Sequence, residues 1–310
     1  MNSSNQHRLG VRHGWLFVLP MALLLAACNT MPGKSDTPID TSKRPLKIGL
    51  ALGGGGTRGF AHVGVIKALE AQGITPDIIV GTSVGSLVGA LYSSGLSGFK
   101  LQEATMLLEK NSMVDWGFPD RGFLSGESLE QFVNNAVKNR PLEKLQRTFA
   151  VVATDLKTGN EIIFRTGNTG QAVRASCAVP GIFKPVTING RSYVDGGLVK
   201  PVPISEARSL GADFVIAVDI SNVPENNQAD STTQVLLQTF DIMSQAINRY
   251  ELPKADVVIR PTTREIDQMS LSDKSAAILE GEKAAAAMMP QIKSKLEALR
   301  AARLLESGAH

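Results

Sequence analysis

A serine lies between two glycines at residues 81–85, in the sequence Gly-Thr-Ser-Val-Gly. The apolar residues Ile78–Val80 precede this motif and a helical pattern follows it, which is the setting of a Gly-x-Ser-x-Gly nucleophile elbow. The flanking glycines are needed there because the turn is sharp and neighbouring atoms crowd the serine. The motif therefore predicts that Ser83 is a nucleophile; the alternative is a serine that only caps the following helix.

Four consecutive glycines, residues 53–56, follow another short apolar segment and precede a helical pattern. Backbone N–H groups in such a loop can bind an anion, either a cofactor phosphate or a transient oxyanion. The spacing Gly54-x-Gly56-x-x-Gly59 matches a dinucleotide-binding fingerprint, but the second strand candidate runs into the serine motif rather than an acidic residue. A P-loop is excluded because no Gly-Lys-Ser/Thr follows the glycines. A tight turn is the structural alternative, and four glycines exceed what a turn requires, which favours an anion hole.

A serine nucleophile needs a general base, which is most often a histidine. Of the four histidines, His7 and His13 lie in the N-terminal segment and His310 is the last residue. His62 comes one turn into the helix predicted after the glycine loop, where a lone histidine more often packs or hydrogen-bonds than acts as a base. The histidine inventory therefore argues against a histidine-based triad and favours a carboxylate base.

Asp195 is the carboxylate candidate, in the sequence Asp-Gly-Gly. It follows a predicted hairpin of Val186–Ile188 and Arg191–Val194, joined by an Asn-Gly turn. Asp-Gly-Gly is also a common turn sequence. Spacing alone does not favour Asp195 over Asp155 or Asp219, so the identity of the base stays open at this point.

Strand and helix candidates alternate along the chain that must position these residues. The predicted strands are Lys47–Leu52, Ile78–Val80, Thr148–Ala153, Glu161–Phe164, Phe214–Val218 and Asp256–Ile259. The predicted helices are Arg58–Ala71, Ser86–Tyr92, Thr232–Arg249, Ala276–Met289 and, beyond a break or kink at Pro290, Ile292–Leu305. This alternation predicts an α/β domain with a mostly parallel sheet.

The N-terminal segment predicts a bacterial lipoprotein signal. Arg8 and Arg12 precede the apolar run Trp15–Ala27, which is shorter than the roughly 20 residues that a membrane-spanning helix needs. The run ends in Leu-Ala-Ala-Cys28, which resembles a lipobox, in which the cysteine is lipidated; a plain signal followed by a chance cysteine is the alternative. We therefore expect a lipid-anchored protein of the bacterial cell envelope, and Asn29 after the cysteine favours the outer membrane or a periplasm-facing location.

The rest of the chain is nearly neutral. The sequence has 32 Lys and Arg against 29 Asp and Glu, and without residues 1–27, which hold two arginines and no acid, 30 basic residues face 29 acidic ones. This lacks the basic footprint of a nucleic-acid-binding protein, so we expect no nucleic-acid partner. We predict a signal peptide over 1–27, lipidated Cys28 with a flexible tether over 28–44, and a folded domain over 45–310. Cys177, among small residues, predicts a buried side chain.

Four motifs, in order, resemble the patatin-like phospholipase family, and most of all its bacterial members related to neuropathy target esterase. The motifs are the glycine loop with Thr57-Arg58-Gly59, the serine motif, the segment Ala175–Phe183 and Asp195-Gly196-Gly197. They lie within residues 46–220, and the helical C-terminal part, 231–305, matches no motif. Each motif is weak alone, but the set in this order is specific.

The resemblance implies roles for particular residues. Ser83 is the nucleophile and Asp195 the second member of a Ser–Asp dyad, while Gly54, Gly55 and Gly56 supply oxyanion N–H groups. Arg58 helps to hold the shape of that loop. The family also implies a three-layer α/β/α fold and no metal or organic cofactor.

The implied activity is a serine acyl hydrolase of the phospholipase A or lysophospholipase type, which cleaves membrane phospholipid or lysophospholipid through an acyl-enzyme. Burial should then raise the pKa of Asp195 towards that of a useful base. The apolar, glycine-rich stretch 116–124 is a candidate lid or acyl-binding edge, with ordinary core packing as the alternative. Two other functions stay open: an esterase or thioesterase for small soluble acyl compounds, and a non-catalytic lipid-binding envelope lipoprotein.

Overall fold

The computed structural model describes residues 44–106, 126–222, 231–263, 266 and 273–308, all within one unit, Ser42–His310. The predicted signal, Cys28, nearly all of the tether and the stretch 116–124 lie outside the described residues. No helix among the described residues is long and apolar enough to cross a membrane.

A single sheet forms the centre of the described chain. Its eight strands are β1 Ile48–Leu52, β2 Ile78–Thr82, β3 Thr148–Asp155, β4 Glu161–Phe164, β5 Val186–Ile188, β6 Arg191–Asp195, β7 Phe214–Val218 and β8 Val257–Ile259. The α-helices around it are α1 Phe60–Ala71, α2 Val84–Ser93, α3 Gly98–Met106, α4 Glu127–Ala136, α5 Thr169–Ser176, α6 Ile204–Ser209, α7 Thr232–Glu251 and α8 Lys274–Gly308.

The strand order is β5-β6-β3-β2-β1-β7-β8, with β4 also paired to β3. Strands β3, β2, β1, β7 and β8 run parallel, whereas β4 and β6 are antiparallel to β3 and β5 is antiparallel to β6. The chain is thus a mixed α/β protein with a mostly parallel central sheet, which confirms the predicted fold class. Because parallel strands end at the same edge, the segments after β1 and β2 meet there.

The apolar side chains of the strands alternate between two faces of the sheet. On β1, Leu50 and Leu52 belong to a large core shared with α1, α2 and α8, whereas Ala51 packs in a smaller core with Ile204 and Ala207 of α6. Helices therefore cover both faces of the sheet: α1, α2 and α8 form the larger layer on one face, and α6 packs on the other. This arrangement leaves the strand ends free to carry polar groups.

Every strand predicted from an apolar run is present, with ends that differ by at most two residues. The predicted hairpin is also present, and Asn189 and Gly190 both have positive φ, at 50° and 76°, which suits a two-residue turn. Helices α3 to α6 were not predicted. They have 9, 10, 8 and 6 residues, too few for a decisive periodic pattern.

A break or kink was predicted at Pro290, and the break is wrong, because α8 continues through this residue to Gly308. Pro290 is exposed, so the carbonyl that loses its intrahelical partner faces solvent rather than the core. The preceding part of α8 is fixed by close packing on α1. A Cβ atom on Gly64 would overlap the Ile278 carbonyl oxygen, and one on Gly281 would overlap the Ala61 carbonyl oxygen. Tertiary packing therefore outweighs the local cost of the proline.

Candidate active site

Ser83 lies in the tight turn between β2 and α2. Its backbone has φ 53° and ψ −128°, a conformation that non-glycine residues rarely adopt. A Cβ atom on Gly81 would overlap the Gly85 carbonyl, and one on Gly85 would overlap the Leu52 carbonyl at the end of β1. Both glycines are thus required by space. The Ser83 hydroxyl makes no capping bond to α2, so helix capping does not account for this residue.

Hydrogen bonds from neighbouring serines hold the backbone of this turn. The Ser83 N–H donates to Ser176 Oγ at 2.8 Å, and the Ser176 hydroxyl in turn donates to the Val152 carbonyl of β3 at 2.5 Å. The Ser86 hydroxyl donates to the Ser83 carbonyl at 2.6 Å. Sequence reasoning assigned no role to Ser176, although the motif that contains it carried part of the family resemblance.

Asp195 reaches the same strand edge through the sheet register. Thr82 pairs with Val152 of β3, and the next residue of β3, Ala153, pairs with Asp195 at the end of β6. The side chain is 4% exposed, and its Oδ1 accepts the Gly197 N–H at 2.7 Å. Its Oδ2 is buried and has no hydrogen-bond partner among the described residues. One carboxylate oxygen of Asp195 is therefore available to accept a proton.

Burial raises the pKa of the Asp195 carboxyl to about 6, as expected from the sequence. The Ser83 hydroxyl and the Gly197 N–H oppose this rise because both stabilise the ionised form. The hydroxyl thus lies near enough to interact with the carboxylate, although no formed hydrogen bond occupies Oδ2. A carboxylate with this pKa is a much better proton acceptor than an exposed aspartate, and it is largely ionised at neutral pH.

The two rival aspartates are engaged in other contacts. Asp155 Oδ1 accepts the N–H groups of Lys157 and Thr158, each at 3.0 Å, and so stabilises the turn after β3. Asp219 accepts the Ser221 hydroxyl at 2.6 Å and Arg260 Nε at 3.2 Å. Of these three carboxylates, only Asp195 has both a free oxygen and Ser83 as a neighbour.

The glycine loop follows β1 and faces the elbow. A Cβ atom on Gly54 would lie 3.2 Å from Ser83 Cβ, so the loop approaches the serine closely. However, the Gly54 N–H donates to the Pro201 carbonyl at 3.0 Å, whereas the N–H groups of Gly55 and Gly56 make no hydrogen bond within the described part of the chain. The Gly54 N–H therefore ties the loop to the segment after β6, and the oxyanion role of Gly54, Gly55 and Gly56 stays a prediction.

Arg58 holds the loop from inside the protein. Its side chain is 2% exposed, and its Nε donates to the Gly55 carbonyl at 3.0 Å. Its Nη2 donates to Asp241 Oδ1 of α7 at 3.3 Å. The guanidinium therefore shapes the loop, as the resemblance implied, and also ties it to α7, a partner that sequence reasoning missed.

His62 is not placed to act as a base. It is fully buried, and its Nε2 lies 2.8 Å from the Gly53 carbonyl oxygen. Burial lowers its pKa to about 4, so the ring is neutral at pH 7 and Nε2 carries the proton that it donates to this carbonyl. His62 is thus a hydrogen-bonding residue under the glycine loop, as predicted.

Cys177 is a buried neighbour of Ser83 and Asp195. The side chain is 4% exposed, as predicted from its small neighbours. Burial and the nearby Asp195 carboxylate both raise the pKa of the thiol, while the hydroxyls of Ser86 and Ser83 oppose the rise. The group therefore stays a neutral thiol, which excludes it as a thiolate nucleophile at physiological pH.

A small cavity of about 80 Å³ joins these groups. Ser83, Asp195 and the glycine loop form one side of it, and α7 covers the other with Leu237, Phe240, Asp241 and Ser244. This volume accommodates a reacting carbonyl group but not an acyl chain, since ligand pockets are typically about 300–1,000 Å³.

Fold and site together define a class: an α/β protein with an elbow serine that lies beside a buried carboxylate and faces a glycine loop. The chain belongs to the patatin-like phospholipase family, because the sequence model of that family matches residues 50–208. This confirms the family resemblance seen in the four motifs.

Two curated relatives illustrate the similarity. An uncharacterized NTE family protein of Mycobacterium tuberculosis (strain H37Rv) is 32% identical over 215 residues, which cover 69% of this chain and 59% of that protein. The lysophospholipase NTE1 of Coccidioides immitis is 32% identical over 211 residues, covering 62% of this chain and 13% of that protein. The chain thus matches less than two thirds of the length of either relative.

Among solved structures, VipD from Legionella pneumophila aligns over 81% of this chain and 67% of its own, with a TM-score of 0.48 and 14% identity. The type III effector ExoU aligns over 80% of this chain and 53% of its own, with a TM-score of 0.43 and 16% identity.

Proposed function

We propose that the chain is a serine acyl hydrolase of the phospholipase A or lysophospholipase type, in which Ser83 is the nucleophile and Asp195 the base. The observation that carries this proposal is the buried Oδ2 of Asp195, which has no hydrogen-bond partner among the described residues and lies next to an elbow serine whose hydroxyl does not cap its helix. An unpaired buried carboxylate oxygen is costly, and it is explained by a proton that must be taken up during reaction.

The reaction has two halves. Ser83 Oγ attacks the ester carbonyl carbon while its proton passes to Asp195 Oδ2, and the N–H groups of Gly55 and Gly56 stabilise the oxyanion. The tetrahedral intermediate then expels the alcohol, which takes the proton from Asp195, and an acyl-Ser83 ester remains. Water attacks this ester with Asp195 again as base, and the proton returns to Ser83 Oγ as the fatty acid leaves.

The lipid substrate is supported by family membership and by the name of a relative, the lysophospholipase NTE1 of Coccidioides immitis. A soluble-ester hydrolase and a non-catalytic lipid-binding protein are the alternatives. The small cavity at Ser83 holds the carbonyl group alone, so in this proposal the acyl chain extends outside it.

The proposal is tested by fatty-acid release from phospholipid and lysophospholipid micelles, with the purified full-length chain in detergent. Release of fatty acid supports a lipid hydrolase. Cleavage of short soluble esters only would favour the esterase alternative. If neither ester is cleaved and a fluorophosphonate probe fails to label the chain, the proposal is wrong.

The acid limb of the pH profile should report Asp195. The base acts in its ionised form, so kcat/KM for a neutral short-chain ester should rise with pH, reach half its plateau near pH 6 and level off about one pH unit above that. At pH 5 the value should be about a tenth of the plateau, because only that fraction is ionised. His62, with a pKa of about 4, does not titrate in this range.

Glu206 provides the control for this profile, because burial raises its pKa to about 7. It lies on α6 with the Lys200 ammonium 3.1 Å from its Oε1, and it does not line the cavity at Ser83. A Glu206→Gln chain should keep the acid limb near pH 6. A profile that is flat from pH 5 to 8 would exclude a carboxylate base with the pKa of Asp195.

We further propose that the chain is a lipoprotein of the bacterial cell envelope, with Cys28 acylated and the domain tethered to a membrane that contains its substrate. The full-length chain, expressed in bacteria with labelled palmitate, should incorporate the label. A Cys28→Ser chain should lose it, because the thiol is the acceptor, whereas Cys177→Ser should keep it, because Cys177 is buried. Label retained by Cys28→Ser would show that the lipid is attached elsewhere, and a wild-type chain without label would contradict lipidation.

A further inference from the structure

A cleft of about 640 Å³ lies beside the cavity at Ser83. The two share a wall residue, Ser221, and α7 runs along both. Four α7 residues from Leu237 to Ser244 line the cavity, and Gln245, Asn248 and Arg249 in the next turns of α7 line the cleft. Because a helix rises about 1.5 Å per residue, the cleft lies within about 10–15 Å of the site along this helix. Its size suits a bound small molecule.

Two arginines in the cleft have unused hydrogen-bond donors. Arg249, in the last turn of α7, is exposed, and its side chain makes no hydrogen bond or ion pair with any described residue. Arg260, just after β8, donates through Nε to Asp219, and its two Nη atoms have no partner in the described part of the chain. Free guanidinium donors at a concave surface are the usual ligands of phosphate oxygens.

Further polar groups complete the cleft. The Asp219 carboxylate accepts hydrogen bonds from the Ser221 hydroxyl and from Arg260 Nε. The positive charge of Arg260 offsets its negative charge, so Asp219 repels a bound anion only weakly. Asn248 is 3% exposed and lines the cleft, yet its Oδ1 has no hydrogen-bond partner among the described residues. A buried, unpaired amide oxygen is costly.

We propose that this cleft binds the phosphate of the substrate head group through Arg249 and Arg260. This inference rests on the proposed function and narrows the class of substrate. The substrate class is then a phosphate-bearing glycerolipid rather than a neutral glyceride. With the ester carbonyl at Ser83 and the phosphate in the adjoining cleft, the glycerol backbone passes Ser221. Ser221 lines both spaces, which places the two subsites side by side.

The test compares lysophosphatidylcholine with a monoacylglycerol of the same chain length, in the same detergent micelles and with the full-length chain. Arg249→Gln should lower the ratio of kcat/KM for the phospholipid to that for the glyceride about tenfold, mainly through KM, since a charge-assisted hydrogen bond is lost. Arg249→Lys should restore much of the ratio. Arg165→Gln, an exposed arginine that lines neither cavity nor cleft, should leave the ratio unchanged.

A ratio that stays the same in Arg249→Gln and in the double variant with Arg260→Gln would overturn the proposal. A wild-type chain that cleaves neither lipid would instead contradict the proposed function, and the cleft is then tested by binding alone. Titration calorimetry should show that glycerol 3-phosphate binds the wild type about tenfold more tightly than Arg249→Gln. Equal affinity for inorganic phosphate would assign a free-phosphate site and overturn the head-group role, as would the absence of binding.

Discussion

A Ser83→Ala chain is expected to release fatty acid at less than about a thousandth of the wild-type rate, because removing the nucleophile of an acyl transferase or hydrolase abolishes the covalent route. The loss should appear in kcat rather than in KM, since alanine leaves the glycine loop and the lipid contacts in place. Labelling by a fluorophosphonate probe should disappear with it. The measurement is fatty-acid release from lysophospholipid micelles, with the burst of probe labelling used to count active sites.

Ser94→Ala is the matched control for this variant. Ser94 ends the same helix, and its hydroxyl donates to the Leu91 carbonyl at 2.7 Å, away from the cavity. This variant should keep activity within about threefold of the wild type, as expected for a single neutral hydrogen bond. Hydrolysis by Ser83→Ala within tenfold of the wild type, with an unchanged thermal midpoint and contaminating esterase excluded, would reject Ser83 as the nucleophile.

The elbow was predictable because its determinants are local. Gly81 and Gly85 flank Ser83 in the sequence, and the contact that requires one of them, between the Gly81 position and the Gly85 carbonyl, lies within five residues. The strands were predictable for a similar reason, since a buried parallel strand is a short apolar run bounded by polar or glycine residues.

The choice of Asp195 was not predictable from spacing. Three aspartates end a strand or directly follow one, and they differ in which carboxylate oxygen lacks a partner among the described residues. That property depends on the antiparallel pairing of β6 with β3, which brings Asp195 opposite Ala153. Only the family resemblance pointed to Asp195 in advance.

The role of α7 was missed for a related reason. Arg58 and its partner Asp241 are separated by 183 positions in the chain. The fully buried residues of α7 are Asp241, Asn248 and Glu251, all polar, so apolar periodicity did not single out the positions that contribute to the site. A helix that buries polar residues beside a cavity contributes to a site, and this became visible only from the packed structure.

An Asp195→Asn chain is expected to lose at least about a thousandfold in kcat/KM, because the amide cannot accept the Ser83 proton. The amide has the shape of the carboxylate and can keep the bond from the Gly197 N–H through its oxygen. Burial disfavours the ionised carboxylate, as its raised pKa shows, so the neutral side chain removes that cost and the fold should be retained. Hydrolysis of a neutral short-chain ester, with the thermal midpoint beside it, measures both effects.

Asp155→Asn is the matched control, since Asp155 is equally buried at 3% exposure but serves a turn. It should keep activity within about threefold while losing some stability, because its Oδ1 accepts two backbone N–H groups. The pH profile separates a base from a structural acid. Residual hydrolysis by Asp195→Asn should no longer titrate near pH 6, whereas Asp155→Asn should keep the acid limb. An acid limb that persists in Asp195→Asn would place the base on another group and leave Ser83 without its proposed partner.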